Sequence, residues 1–201
     1  MSVQDRGPSL TTPFIPSQTA RTAERPRPAS SARGSALAVL RIVMGLTFLW
    51  AFLDKVFGLG YATSSAQAWI SGGSPTKGFL GHVQVGPMQS TLRDWAGAGW
   101  ADWLFMLALL GLGVALLLGV ALRLAAVAGT VLLALMWIAE WPLARSTSAG
   151  TATSSTNPLI DYHLGYLVVL IVLAAFAAGD TWGLGRRWAR VDLVRRNPWL
   201  R

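Results

Sequence analysis

The sequence has no cysteine. Disulfides, persulfide intermediates and metal or cluster sites with thiolate ligands are therefore excluded for this chain acting alone. Histidine occurs only twice, at distant positions, so we expect neither a haem nor a metal site. A glycine-rich phosphate loop and a nucleophile triad are also lacking. Any redox chemistry must use a cofactor or co-substrate that the chain borrows.

Charged residues are scarce as well. They make up 13% of the 201 residues, whereas hydrophobic residues make up 53%, and the mean hydropathy is +0.46. This composition is typical of a membrane protein. Most of the 10 tryptophans flank the apolar runs, where an amphipathic ring prefers the headgroup level of a bilayer. We therefore expect an all-α integral membrane protein in a lipid bilayer.

Four apolar stretches have the length of about 20 residues that a helix needs to cross the hydrocarbon. They cover residues 36–57, 101–120, 122–141 and 158–179. The second and third are nearly continuous, and we divide them at residues 121–123 because the whole run is too long for one crossing. The sequence thus predicts a four-helix transmembrane bundle.

Basic residues are concentrated near both ends of the chain, whose net charge is +8. Such flanks are retained in the cytoplasm, which predicts a multi-pass protein of a cell membrane with both termini cytoplasmic. The expected electrostatic partner is anionic lipid and not nucleic acid. We expect residues 1–34 to be a disordered tail and not a signal peptide, residues 35–185 to form the membrane domain, and residues 186–201 to be a basic tail.

The first predicted outer segment, residues 58–100, contains tryptophan, leucine and isoleucine among polar residues. We predict short interfacial helices at residues 66–70 and 88–95, separated by a turn-rich loop at 71–80. The second outer segment, residues 146–156, is a low-complexity stretch of serine, threonine, alanine and glycine. We expect it to be a flexible connector without chemistry.

Ionisable side chains inside membrane spans cost roughly 2.5–3.5 kcal/mol each, so their placement is informative. Six titratable residues lie within about two turns of the predicted outer helix ends: Asp54, Lys55, Asp102, Glu140, Asp161 and His163. Glu140 lies near a helix C-terminus, where the dipole disfavours a carboxylate, and needs a proton or a cation from Lys55 or His163. These charges can equally be structural, each matched to its helix end.

Asn157 followed by proline predicts the N-cap of the fourth helix, whose free N–H groups can hold an anion. With Lys55 and Lys77 on the same side, a small oxyanion or a quinone head can be received there; a plain helix start explains the same residues. Asp161 and His163 are about 200° apart on a helix, so we expect only one to face the bundle centre. At the inner end, Arg41 is expected to snorkel or to pair with Asp180.

Three segments together resemble the DoxX/DoxD family of four-helix bacterial and archaeal membrane proteins. They are LRIVMGLTFLWAFLDK at 40–55, GSPTKGFL at 73–80 and NPLIDYH at 157–163. The resemblance extends over about residues 36–188. Its specificity lies in the order of three weak motifs and not in any one of them.

In that family, the best-described activity is a thiosulfate:quinone oxidoreductase, in which a DoxD-type membrane subunit works with a smaller DoxA subunit. Other members are associated with sulfurtransferases and superoxide dismutase. The resemblance therefore implies a quinone as co-substrate and a DoxA-like or sulfurtransferase partner. It directs attention to Asp161 and His163 as catalytic candidates, and Glu140, which the helix-end argument singles out, is the third. Lys55, Lys77 and Asn157 are the candidates for binding substrate.

Two functional hypotheses remain open from the sequence. In the first, the chain is the membrane subunit of a thiosulfate:quinone-type oxidoreductase with its site at the outer face. In the second, it is a non-catalytic scaffold: the charged layer locks the helices together, and the basic tails recruit a partner. Either role is compatible with a homo-oligomer. A transporter is disfavoured because no charged residue lies near the middle of a span, apart from Arg41 at its edge.

Overall fold

A computed structural model describes residues 29–201, and within this range the regular structure is helical, without a β-sheet. The α-helices are α1 (Ala29–Phe57), α2 (Lys77–Gly81), α3 (Gln89–Trp95), α4 (Gly99–Leu118), α5 (Leu122–Glu140), α6 (Tyr162–Ala175), α7 (Gly185–Trp188) and α8 (Asp192–Arg196). The all-α prediction is confirmed. Residues 1–28 of the predicted tail lie outside the described residues, whereas residues 29–34 already belong to α1.

Three of the described helices, α1, α4 and α5, are long and apolar enough to cross a membrane. The apolar helix α6 has only 14 residues. At 1.5 Å per residue it spans about 21 Å, less than the roughly 30 Å of hydrocarbon. The chain is thus a helical membrane protein with three candidate spans and a shorter fourth apolar helix, α6.

The four apolar helices α1, α4, α5 and α6 pack in a simple order: α1 lies along α4, α4 along α5, and α5 along α6. Their buried apolar side chains form one core, which includes Met44, Phe48, Met106, Leu112, Leu116, Leu133, Leu170 and Leu173. The α1–α4 contact is close because Gly113 faces Leu49, where an added Cβ would lie 2.9 Å from the Leu49 backbone nitrogen. A larger residue there would separate the two helices.

The fourth predicted span, residues 158–179, is wrong at both ends. Helix α6 begins only at Tyr162, because Asp161 caps it through a hydrogen bond from the Leu164 N–H. It ends at Ala175, and Ala177 then adopts a left-handed conformation with φ of 47°. Beyond it the backbone at Gly179 lies directly against the backbone at the end of α4.

Arg41 holds the segment after α6 against the end of α4. Its side chain is fully buried and donates hydrogen bonds to the carbonyl oxygens of Leu116, Leu117 and Trp182. One guanidinium therefore satisfies free carbonyls at the end of α4 and in the segment after α6. The expected pairing with Asp180 is wrong, since Asp180 instead pairs with Arg201 at 2.8 Å.

We call the end of the bundle with residues 58–98 and 141–161 the loop end, and the opposite end the termini end. At the loop end, α3 confirms the predicted helix at 88–95, but residues 66–70 form 3-10 turns and α2 lies inside the predicted loop at 71–80. The expected flexible connector is instead a hydrogen-bonded turn with a bridge between Ser146 and Ala152.

At the termini end, the predicted basic tail at residues 186–201 contains α7 and α8. It folds back on the bundle, because Trp188 Nε1 donates to the Leu200 carbonyl at 2.7 Å and Arg123 donates to the Pro198 carbonyl at 3.1 Å. The C-terminal residues therefore cover the turn between α4 and α5.

Candidate functional site

Lys55 and Lys77 line the same cavity at the loop end, although 22 positions separate them in the sequence. The cavity has a volume of about 800 Å³. These are the only two lysines of the chain, and His82 adds a third basic side chain to the wall. No aspartate or glutamate is among the described residues that line the cavity. The cavity is therefore electropositive and suited to an anion.

The nearest buried carboxylates belong to the framework of this cavity. Asp102 accepts hydrogen bonds from Ser74 Oγ at 2.8 Å, and from Thr76 through its N–H at 3.0 Å and its Oγ1 at 2.6 Å. Asp54 accepts from the N–H groups of Tyr61 and Ala62 at 3.3 and 3.1 Å. Both carboxylates thus hold the first loop in place.

The two lysines are left without such a partner. Among the described residues, neither lysine lies within ion-pair distance of a carboxylate. Lys55 Nζ instead lies 5.7 Å from the centre of the Phe105 ring. This distance is within the range of a cation–π contact.

An apolar groove of about 350 Å³ lies beside this cavity, between α4 and α5 and against α2 and α3. Its walls are mainly aromatic and aliphatic, among them Trp95, Trp100, Leu104, Phe105, Leu132 and Met136. Pro75 and Phe79 line both the groove and the cavity. An electropositive cavity and an apolar groove therefore share a wall.

Glu140, Asp161 and His163 form a second polar group, between the end of α5 and the start of α6. His163 Nδ1 lies 2.8 Å from Asp161 Oδ2 and 3.9 Å from Glu140 Oε2. The expectation that Asp161 and His163 diverge is wrong. Asp161 is the cap of α6 and has extended backbone angles, so the angular spacing of helical residues does not apply to it.

Each of these carboxylates uses its other oxygen for a separate hydrogen bond. Tyr162 donates its hydroxyl to Glu140 Oε1 at 3.0 Å, and the Leu164 N–H donates to Asp161 Oδ1 at 3.1 Å. Burial raises the pKa of Asp161, but hydrogen bonds from His163 and Leu164 outweigh it and hold this pKa below its ordinary value. His163 is 1% exposed, and its Nε2 has no partner among the described residues.

Asn157 does not cap a helix. Its Oδ1 accepts hydrogen bonds from the N–H groups of Leu159 and Ile160, both at 3.0 Å, and closes a local turn. The side chain is exposed and does not line the cavity of the two lysines. The anion site expected at this helix start is therefore not formed, and the expected single layer of charges is divided between two places.

Two polar residues of these sites were not expected from the sequence. His82 lies on the cavity wall, but a single histidine in a loop carries no signal of its position. The spacing of Tyr162 and Tyr166, four residues apart, predicts only a shared aromatic face, whereas the Tyr162 hydroxyl donates a hydrogen bond to Glu140. Whether a tyrosine interacts through its ring or through its hydroxyl depends on tertiary contacts, and no spacing rule predicts it.

A protein-family model described as DoxX matches residues 36–141, just over half of the chain. The match includes Lys55, Lys77 and Glu140, and it ends before Asp161 and His163. No curated protein and no solved structure matches this chain.

Proposed function

The chain belongs to the DoxX family, and we propose that it is the membrane subunit of an oxidoreductase that oxidises a sulfur oxyanion such as thiosulfate and reduces a quinone. The observation that carries the proposal is that both lysines of the chain line one cavity, which shares a wall with an apolar groove. The loop end is then the outer face of the membrane, as expected from the basic flanks.

The cavity supplies the site for the anion. Two ammonium groups act as mobile point charges for oxygens of different geometry, and charge-assisted hydrogen bonds are about twice as strong as neutral ones. Asp54 and Asp102 do not compete for this role, because their oxygens accept hydrogen bonds from the loop. Asn157 has no part in this proposal, since its oxygen closes a turn elsewhere.

The groove supplies the site for the quinone ring. A quinone arrives through the hydrocarbon, and aromatic walls such as those formed by Trp95 and Trp100 offer stacking contacts. The shared residues Pro75 and Phe79 bring the two reactants next to each other. This closeness matters because the chain has no cysteine, so electrons must pass directly or through a partner subunit.

The catalytic group of the proposal is Glu140, Asp161 and His163. Glu140 lies one helical turn beyond Met136, which lines the groove, so it projects from the same side of α5 closer to the loop end. His163 Nε2 is buried and has no partner among the described residues, so it can exchange a proton with a quinone oxygen only through a water molecule or after a movement of the ring. The three residues thus complete the site from the side of α5 and α6.

Thiosulfate-dependent reduction of a quinone analogue by the purified protein in nanodiscs tests the proposal. We expect Lys55→Met and Lys77→Met each to raise the KM for thiosulfate about tenfold or more, the equivalent of about 1.4 kcal/mol of lost binding energy. The charge-conserving Lys55→Arg and Lys77→Arg variants are the matched controls and should retain most of the activity. Circular dichroism should show that every variant is folded.

The opposite outcome would favour the scaffold. If the wild-type protein does not reduce the analogue, either alone or with a co-purified partner subunit, the oxidoreductase proposal is wrong. The same conclusion holds if both methionine variants turn over like the wild type. The charged groups would then serve only to hold the loops and helices together.

A further inference from the structure

Glu140 and Asp161 carry more negative charge than their surroundings balance. Glu140 ends α5, where the helix dipole disfavours an anion. Lys55 does not supply the cation, because it lines the cavity that it shares with Lys77. Among the described residues, His163 is the only basic side chain within ion-pair distance of either carboxylate. One histidine cannot neutralise two carboxylates, so the group carries a net negative charge that favours binding of a cation.

The three groups are close enough to share a single ion. One ligand atom from each of Glu140, Asp161 and His163 lies within 4.8 Å of the other two. Metal–ligand distances of about 2.0–2.2 Å to nitrogen and oxygen place neighbouring ligand atoms roughly 3–4 Å apart, so small side-chain rotations would bring the three atoms to coordination distance. The second oxygen of each carboxylate is already fixed, by Tyr162 for Glu140 and by the Leu164 N–H for Asp161. The oxygens that face the histidine have no partner other than His163 among the described residues, and outer hydrogen bonds of the kind made by Tyr162 and Leu164 orient metal ligands.

The buried histidine is an independent sign of a missing ligand. His163 is 1% exposed, and its Nδ1 points at one oxygen of each carboxylate. If the ring proton is on Nδ1, it forms a hydrogen bond only with Asp161, and Nε2 is then a buried acceptor without a donor. If the proton is on Nε2, three unprotonated atoms face one another. An ion between these three atoms would remove their repulsion and fix the ring proton on Nε2.

We propose that Glu140, Asp161 and His163 bind one divalent transition-metal ion of the class of Mn²⁺, Fe²⁺ or Zn²⁺, between His163 Nδ1 and one oxygen of each carboxylate. A mixed imidazole and carboxylate set selects this class, since all-oxygen sites suit Mg²⁺ and Ca²⁺ and thiolate is absent. Three protein ligands leave coordination positions open for water or a substrate oxygen. The inference does not depend on the proposed function, because binding of the ion is measured without thiosulfate or quinone.

The test uses the full chain, stripped with a chelator, in nanodiscs of zwitterionic lipid, which carry no anionic headgroups. Mn²⁺ is titrated, and the free ion is followed by electron paramagnetic resonance. We expect one Mn²⁺ per chain in the wild type, displaced by Zn²⁺. Glu140→Gln and Asp161→Asn should each weaken binding about tenfold or more.

Both variants are designed to fold. In Glu140→Gln the side-chain amide oxygen would still accept the Tyr162 hydroxyl, and in Asp161→Asn the new side chain is as good a helix cap for the Leu164 N–H. Asp94→Asn is the matched control, since Asp94 is an exposed carboxylate in α3 at the same end of the bundle, and it should bind Mn²⁺ like the wild type. Absence of wild-type binding up to millimolar Mn²⁺, or equal binding in all three variants, would overturn the inference.

Discussion

Two pairs of carboxylates lie at the loop end of the bundle, and they differ in what their oxygens face. Asp54 and Asp102 accept hydrogen bonds from loop N–H and hydroxyl groups. Glu140 and Asp161 each direct one oxygen at a buried histidine that offers at most one proton to both. A buried carboxylate surrounded by donors is part of the framework, whereas two carboxylates that converge on one histidine are the place where we propose a bound ion.

The framework pair should dominate stability. Replacing Asp102 by alanine removes the acceptor of three hydrogen bonds and leaves donors of the half-buried Ser74 and the buried Thr76 unpaired. We expect Asp102→Ala to lower the free energy of unfolding by about 3 kcal/mol, measured by denaturant unfolding in micelles. Asp102→Asn keeps an acceptor and should lose less. A loss below about 1 kcal/mol for the alanine variant would show that the framework role is wrong.

The second pair should have a smaller effect on stability, and only through the cap. Asp161→Ala removes the acceptor for the Leu164 N–H and should cost about 1 kcal/mol of unfolding free energy, measured in the same way. Asp161→Asn keeps the cap and should remain within about 0.5 kcal/mol of the wild type. If the asparagine variant were as unstable as the alanine variant, the charge itself would be structural, and the contrast between the pairs would disappear.

The smallest expected change in stability comes from Tyr162→Phe, which removes only the hydroxyl that holds Glu140 Oε1. We expect the unfolding free energy to stay within about 0.5 kcal/mol of the wild type, whereas Mn²⁺ affinity should fall by about tenfold, because the ligating carboxylate loses its orientation. Tyr166→Phe is the control. Its hydroxyl makes no contact with Glu140 among the described hydrogen bonds, so it should leave both measurements unchanged.

The long spans were predictable because hydrophobic length is a local property of the chain. Helices α1, α4 and α5 end within a few residues of the predicted outer and inner limits, apart from the earlier start of α1. Helix α6 was not predictable in the same way, because its start depends on the Asp161 cap. Its end depends on the segment that Arg41 holds against α4.

The candidate sites show the same division. The residue types were recognisable, since ionisable groups inside an apolar chain stand out. How these residues group together was not predictable, because the sequence suggested one charged layer. In the structure, the lysines line one cavity, whereas Glu140, Asp161 and His163 lie between the end of α5 and the start of α6. The rotation of each helix and the path of the first loop decide which side chains meet, and uniformly apolar helices carry little information on rotation.

By itself, the sequence determined an all-helical membrane protein without thiol chemistry and identified the few charged residues at which function can reside. Only the tertiary structure decided that Lys55 and Lys77 line one cavity, that Glu140 lies beside His163, and that Arg41 binds backbone carbonyls and not Asp180. The physical reason is the range of the forces involved. Transfer into lipid depends on the composition of a short segment, whereas a partner for a buried charge must come from wherever packing brings a complementary atom.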